Sequence, residues 1–392
     1  MKNKPAALII TYDYFVHTSG VTRIVRSLES LLISQGWKVH ILTHDDHNSI
    51  TDKPRSKIFS YNSSQTIKYS TPVGDYLSAA YRVLATTEAL HKKHHYRLIY
   101  AHHYIAGPTL LKFKQLPDVK TMFTCHGIRK NHFSCYNHFD SNKFHNLHDA
   151  WEAGSQAAMT EAMHILEELS ICNADVVSCV SKNVANDIRS YWPSIKPKII
   201  ENFYCLDDHR CQRISSFKTK AKDKISIIFV GRWEKTKGAD IVTQIANKLS
   251  KEKKYIFFHA GNLIDIPLCD NIVHLGHLRD PQLAWLYKNV DLLLMPSRYE
   301  PFGLSAIEAI CNGTPVLGYS IGGLKDILKN KENGWIMNTL DPDRWITTIH
   351  NLFSKGTINK MNRNKMSIIN RDTYNSQKPL NKYKKIIDGF LV

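Results

Sequence analysis

MPSRYEPFGLSAIEAICNGTPVLGYSIGG, residues 295–323, decides the fold. It follows an apolar run, 291–295, whose composition reads as a strand buried in a parallel sheet. A loop over 296–303 comes next, with an acid (Glu300), a proline, an aromatic (Phe302) and a glycine (Gly303). Residues 304–311 have helical composition, Asn312-Gly313 is a C-cap signal, and 315–318 is a second short strand. Glu300 therefore falls on the loop and Glu308 about one turn into the helix. The helix start near Gly303 and Leu304 aims free N–H groups at whatever lies beyond the strand, a natural seat for an anionic or hydroxyl-rich ligand. Each carboxylate accepts several hydrogen bonds from a polyol, and the bare backbone at Gly303 allows close approach. Taken alone, the two glutamates also fit an ordinary loop acid and a surface helix acid.

Together the residues of this stretch closely resemble the Glu-x7-Glu motif of retaining glycosyltransferases of family 4, of the bacterial surface-polysaccharide or lipopolysaccharide type. The match takes in Glu300-Pro301-Phe302-Gly303, Glu308-Ala309, Gly313-Thr314-Pro315-Val316 and Gly322-Gly323. The resemblance implies an α/β protein of the GT-B fold, two Rossmann-like domains facing each other across a deep cleft. It spans most of the chain but is specific from about residue 225 to 334, and the first half matches in outline.

Upstream, 225–230 opens a strand–glycine–helix unit, followed by Gly231-Arg232-Trp233-Glu234-Lys235-Thr236-Lys237-Gly238. An arginine after a strand and a lysine five residues on can both reach one diphosphate, the first as a fork and the second as a mobile point charge. Two basic residues in a loop can equally be solvated surface. In the family, the matching arginine and lysine hold the donor's diphosphate. Strands are expected at 255–260, ending at Gly261, and at 272–275, followed by Gly276-His277-Leu278. In the family that last loop lies against the nucleotide base, so His277 and Leu278 join the donor-binding set with Gly20, Gly231, Phe302, Gly303, Leu304 and Glu308.

The first half repeats the plan. Residues 6–11 are strand-like, Ser19-Gly20 opens a helix with apolar positions at Val21, Ile24, Val25, Leu28, Leu31 and Leu32, Gly36 ends it, and 38–42 is the next strand. There is no G-x-G-x-x-G, which argues against a bound dinucleotide. Gly20 is the counterpart of the family's glycine-rich turn. Residues 74–93 read as an amphipathic helix ending in the basic run His91-Lys92-Lys93-His94-His95-Tyr96-Arg97. This is either a core-facing helix with a solvated end or a contact for anionic headgroups. Short strands at 97–101 and 121–125 are followed by His102-His103 and His126. A histidine beyond a parallel strand faces the ligand crevice or is held structurally. The family often has a histidine near the donor sugar at the position of His126. Residues 128–152 read as an irregular loop over the cleft, 153–172 as helix and 175–180 as strand.

The expected domains are 1–204 (acceptor side), a linker over 205–224, 225–375 (nucleotide-sugar side) and a C-terminal helix, 376–392, returning to the first domain. With 392 residues, two domains are the prior, and 43% hydrophobic with 22% charged residues suits a soluble protein. No apolar run nears the ~20 residues of a membrane span, so a cytoplasmic location is expected. Eight cysteines without a C-x-x-C pair suit reduced thiols. A net charge of +17 admits nucleic acid or an anionic membrane. With no nucleic-acid-binding pattern, the membrane's inner face is the expected partner, bound peripherally, with plain solubility charge as the alternative.

The resemblance implies transfer of a sugar from a nucleotide diphosphate sugar, UDP-sugar first and GDP-mannose second, to a glycan or lipid-linked acceptor, with a soluble acceptor as the alternative. His126, Arg232, Lys237 and Glu300 are the implied catalytic set. No Asp-x-Asp motif occupies a matching loop, so no metal or other cofactor is expected. A phosphorylase would need a pyridoxal phosphate lysine, which the resemblance does not supply. A non-hydrolysing epimerase is opposed by the Glu300–Glu308 motif, and a membrane-surface scaffold without activity by the intact Arg232, Lys237, Glu300 and Glu308.

Overall fold

The computed structural model describes residues 4–14, 20–44, 56–61, 72–134, 147–205, 211–214, 217, 224–358 and 361–390. These residues form two compact units, 1–201 with 377–392 and 202–376. Each is built on a parallel sheet, as the Rossmann-like expectation requires.

In the first unit the strands are β1 (Ala6–Ile10), β2 (Lys38–Thr43), β3 (Lys57–Ser60), β4 (Tyr96–Ala101), β5 (Lys120–Cys125), β6 (Val176–Cys179) and β7 (Lys198–Ile199). Their order is β3-β2-β1-β4-β5-β6-β7. Strand β1 is buried at all five positions because helices cover both faces, so its residues are apolar throughout rather than alternating. Helix Gly20–Ser34 buries Ile24, Val25, Leu28 and Leu32 at helical spacing and ends before Gly36, whose φ of 87° suits a residue without Cβ. Asp175 pins the start of β5, accepting from Thr121 N at 2.8 Å and Thr121 Oγ1 at 2.9 Å.

Helix Gln377–Asp388 belongs to this unit. It buries Pro379, Tyr383 and Ile387, and Lys382 Nζ donates to Glu201 at 2.7 Å. Tyr383 lies against Tyr100, whose hydroxyl joins Thr124 and Ser178 in a buried chain of 2.7 Å hydrogen bonds.

The second unit has β8 (Ile225–Val230), β9 (Tyr255–Ala260), β10 (Ile272–His274), β11 (Leu292–Met295), β12 (Val316–Tyr319) and β13 (Gly334–Met337), in the order β10-β9-β8-β11-β12-β13. Chain order therefore reverses between β8 and β11, which creates a crevice beyond their carboxyl ends. Helix Ala239–Leu249 covers one face with Ile241, Val242, Ile245 and Leu249, and Trp233 and Trp345 are fully buried in the same core. Asp291 repeats the role of Asp175, accepting from Ser226 N at 2.8 Å and Ser226 Oγ at 2.7 Å.

The expected loop at 128–152 is a correction. Helix Arg129–Ser134 and helix Leu147–Asn173 occupy its two ends, and 135–146 lie outside the described residues. Its aromatic content masked the helical pattern. Most of the expected linker, 205–224, also lies outside them. Strand β3, helix Gly107–Phe113, strand β13 and helix Arg363–Thr373 were not anticipated, being short or poorly periodic. Among the described residues no helix is long and apolar enough to cross a membrane, and Cys125, Cys172, Cys179 and Cys269 are free thiols.

Candidate functional site

The reversal point between β8 and β11 assembles most of the residues singled out in the second unit. Gly231 ends β8 with φ 138°, and its N–H donates to Ala260 O at 2.9 Å. Next, Lys235–Lys237 makes a single tight turn that ends at Gly238, φ 81°. A Cβ at Gly238 would stand 2.2 Å from the Pro296 carbonyl oxygen, so the loop after β8 packs on the loop after β11 only with glycine there. Lys237 thereby reaches Glu300: Nζ donates to Oε2 at 2.8 Å, with the lysine side chain 23% and the glutamate 10% exposed. Ser297 Oγ also donates to this oxygen, at 3.4 Å.

Arg298 fastens the two loops. Its guanidinium grips Asp240 with two bonds of 2.6 Å and donates to Lys235 O at 2.7 Å, and its N–H donates to Thr236 O at 2.8 Å. Arg232 pairs with buried Glu234 at 2.8 Å, and Thr236 Oγ1 donates to the same oxygen at 2.6 Å. Arg232 itself remains half-exposed. A carboxylate thus orients the guanidinium while leaving donors for a ligand.

Glu300 is held from behind. Gly323 N donates to Glu300 O at 3.0 Å, and a Cβ on Gly322 (φ 48°) would come within 1.8 Å of that oxygen. Gly303, φ 107°, precedes helix Leu304–Cys311, while Phe302 is buried. Glu308 lies on that helix as expected, is 4% exposed, and accepts from Tyr287 Oη at 3.4 Å. His277 is exposed and Leu278 buried, beyond β10.

In the first unit, His126 follows β5 and His102 follows β4. Their rings stack at 5.4 Å and share a hydrogen bond of 3.2 Å between His102 Nδ1 and His126 Nε2. Burial, then the Arg129 charge, lowers His126 to about 4. His103, a weaker candidate than His126, accepts from Ile105 N at 3.3 Å and caps a short turn. Gly20 opens helix Gly20–Ser34, and Ser19 lies outside the described residues.

The structure therefore joins Lys237 to Glu300 directly and sets Arg232 in the same loop as Lys237, whereas His126 and Gly20 belong to the other unit. Sequence reasoning missed Glu234, Asp240 and Arg298, for which neither periodicity nor a motif gives a signal. It also missed His259. A histidine inside the apolar strand YIFFHA was a legible sign of a buried polar contact.

Comparison with known proteins agrees with the two-unit fold. The family Glycosyltransferase Family 4 matches residues 18–208, and Glycosyl transferases group 1 matches 212–370. The chain belongs to the GT-B glycosyltransferases of group 1 and family 4. An uncharacterized glycosyltransferase of Methanocaldococcus jannaschii is 31% identical over 205 residues, 47% of this chain and 52% of the relative. A 41.2 kDa protein in the cps region of Klebsiella pneumoniae is 31% identical over 156 residues, 38% of this chain and 43% of the relative. The chain spans about half the length of these relatives.

Among solved structures, sucrose-phosphate synthase from Thermosynechococcus elongatus superposes with a TM-score of 0.78 at 17% identity, covering 99% of both chains. WaaG, a glycosyltransferase involved in lipopolysaccharide biosynthesis, gives 0.70 at 15%, covering 98% of this chain and 100% of its own. HepE of Anabaena, in complex with UDP and glucose, gives 0.68 at 14%, covering 98% and 100%. These likenesses concern the fold.

Proposed function

We propose that this protein transfers a sugar from a nucleotide diphosphate sugar to an acceptor hydroxyl with retention at the anomeric carbon. The observation that carries the reading is the Lys237–Glu300 pair, set where chain order reverses and beside Arg232. An ammonium has three N–H donors, so Lys237 can keep Glu300 and still reach a phosphate oxygen. The pair thus joins a sugar-hydroxyl acceptor to a diphosphate cation.

In the reaction, the bond from the anomeric carbon to the diphosphate oxygen breaks and the acceptor oxygen bonds to that carbon on the same face. The acceptor proton passes to the leaving phosphate oxygen. Arg232, Lys237 and the amides at the start of helix Leu304–Cys311 stabilise the charge that grows on the diphosphate. Preorganised electrostatics of this kind are usually the largest catalytic contribution. Glu300 binds donor-sugar hydroxyls, Glu308 the ribose, and the Gly276–Leu278 loop the base. The family resemblance assigns His126 a role toward the donor sugar. No metal is needed where two cations and backbone donors carry this charge, so activity should survive excess EDTA.

UDP-sugar is the favoured donor, supported by the UDP complex of HepE. GDP-mannose is second. A glycan or lipid-linked acceptor of the lipopolysaccharide or capsule type is supported by WaaG and the cps-region relative. A net charge of +17 suits work at the anionic inner face of a cell membrane, as a cytoplasmic peripheral protein. The deciding experiment is a panel of UDP-, GDP- and ADP-sugars offered to purified protein, scored by nucleotide release and by the anomeric configuration of the product. Release from UDP-glucose-type donors with retained configuration supports the reading. Inverted product, or no release from any donor, overturns it.

A further inference from the structure

His259 sits within β9 with no exposed surface, yet it carries a hydrogen-bonding ring into the core. Its Nε2 is 2.9 Å from the carbonyl oxygen of Gly231, and its Nδ1 is 3.0 Å from Nδ1 of His274. A carbonyl can only accept, so Nε2 bears the hydrogen. Burial, with a counteracting bond to Gly231 and a further push from His274, holds the ring's pKa down at about 4. In the neutral ring Nδ1 is therefore bare and accepts from His274. The exposed ring of His274 stacks on it at 4.9 Å, and Trp233 covers it at 4.8 Å.

The consequence lies one atom further along the chain. The Gly231 carbonyl and the Arg232 N–H share one planar trans peptide, in which they point in opposite directions. Turning that carbonyl inward to His259 turns the Arg232 N–H outward. Gly261 makes room, since a Cβ there would stand 2.0 Å from the Gly231 oxygen. Among the described residues the Arg232 N–H has no hydrogen-bond partner, although the Gly231 N–H is used by Ala260.

We infer that His259 is a positioning residue: it locks the Gly231–Arg232 peptide so that the Arg232 amide, beside its guanidinium, is presented as a donor to the diphosphate. This rests on the reading of that loop as the diphosphate seat. It adds a backbone donor, and the buried histidine that aims it, to the side-chain clamp.

The test compares UDP and uridine binding by titration calorimetry for wild type, His259→Leu and His259→Gln, with the histidine nitrogens read by long-range 1H–15N spectra of labelled protein. Glutamine places an N–H near the position of Nε2, whereas leucine fills the space without a donor. One lost hydrogen bond corresponds to roughly a tenfold change in affinity. His259→Leu should therefore bind UDP ~10-fold more weakly and uridine within about twofold of wild type, and His259→Gln should recover most of the UDP affinity. The spectra should show His259 protonated on Nε2 and bare at Nδ1. UDP affinity unchanged in His259→Leu, equal losses for UDP and uridine, or a hydrogen on Nδ1 of neutral His259 would each overturn the inference. Should His259→Leu fail to fold, the wild-type spectrum and His259→Gln decide. If wild type binds neither UDP nor GDP, the functional reading falls and this inference with it.

Discussion

Lys237 Nζ donates to Glu300 Oε2 at 2.8 Å, although the two residues lie on loops that follow different strands, β8 and β11. The lysine proposed for the diphosphate and the acid proposed for the sugar are thus one unit before any ligand arrives. Lys237→Ala should lower kcat/KM by ~10²-fold, as should Arg232→Ala, because each removes charge stabilisation that grows in the transition state. Coupling sharpens the expectation: the double variant Lys237→Ala/Glu300→Gln should lose clearly less than the sum of its single losses. Steady-state kinetics over this cycle would reveal strict additivity, and that result would break the assignment.

The two glutamates should separate in their effects. Glu308 is buried beneath Tyr287 while Glu300 faces Lys237, so Glu308→Gln should weaken nucleotide binding and Glu300→Gln should damage use of the sugar. Glutamine offers one acceptor oxygen where the carboxylate has two. Nucleotide titration of both variants checks this; a Glu308 variant with normal nucleotide affinity beside a Glu300 variant that has lost it would reverse the roles.

Gly322→Ala should disable the site without touching a proposed ligand-binding side chain. The added Cβ would come within 1.8 Å of the Glu300 carbonyl, at a residue whose φ of 48° already disfavours alanine. Moving Glu300 by an ångström should cost ~10²-fold in turnover. Wild-type activity in a folded Gly322→Ala protein would show that the Glu300 loop tolerates displacement.

Acid should destabilise the fold earlier than carboxylates alone require. Burial lowers His40, His126 and His259 to about 4, against 6.5 for an unperturbed ring. Between these values the unfolded chain binds more protons than the folded one, so stability is full above ~6.5 and falls as pH drops toward ~4. Urea midpoints measured at steps from pH 7.5 to 4.5 should fall through this window, and His40→Phe should flatten the decline. A midpoint independent of pH there would refute the assignment of neutral buried histidines.

The membrane reading has its own test. Helix Pro72–His94 exposes Leu77 and Tyr81, and Lys92, Lys93 and Arg97 are exposed at and just beyond its end. Each cation near an anionic surface contributes ~1 kcal/mol, and salt screens it within about 8 Å at physiological strength. The protein should cosediment with anionic but not neutral liposomes, be released by high salt, and bind less when Lys92, Lys93 and Arg97 are all changed to Glu. Indifference to anionic liposomes at low salt would favour a soluble acceptor.

By itself the sequence determined the repeated strand–glycine–helix plan, the parallel sheets and the placing of Glu300 on a loop and Glu308 on a helix. These follow from local properties: apolar runs, helical spacing, and glycines where the chain turns. The Arg232–Lys237 spacing and the Glu300–Glu308 motif were legible because each falls within one short stretch. Only the tertiary structure decided who meets whom. Lys237 finds Glu300 and Asp240 finds Arg298 because β8 and β11 are neighbours in the sheet though far apart in sequence. His259 reaches Gly231 because β9 lies along β8 in register, Ala260 opposite Val230, and because Gly261 has no Cβ to obstruct the approach. Such partners depend on sheet order and side-chain direction, which no local pattern encodes.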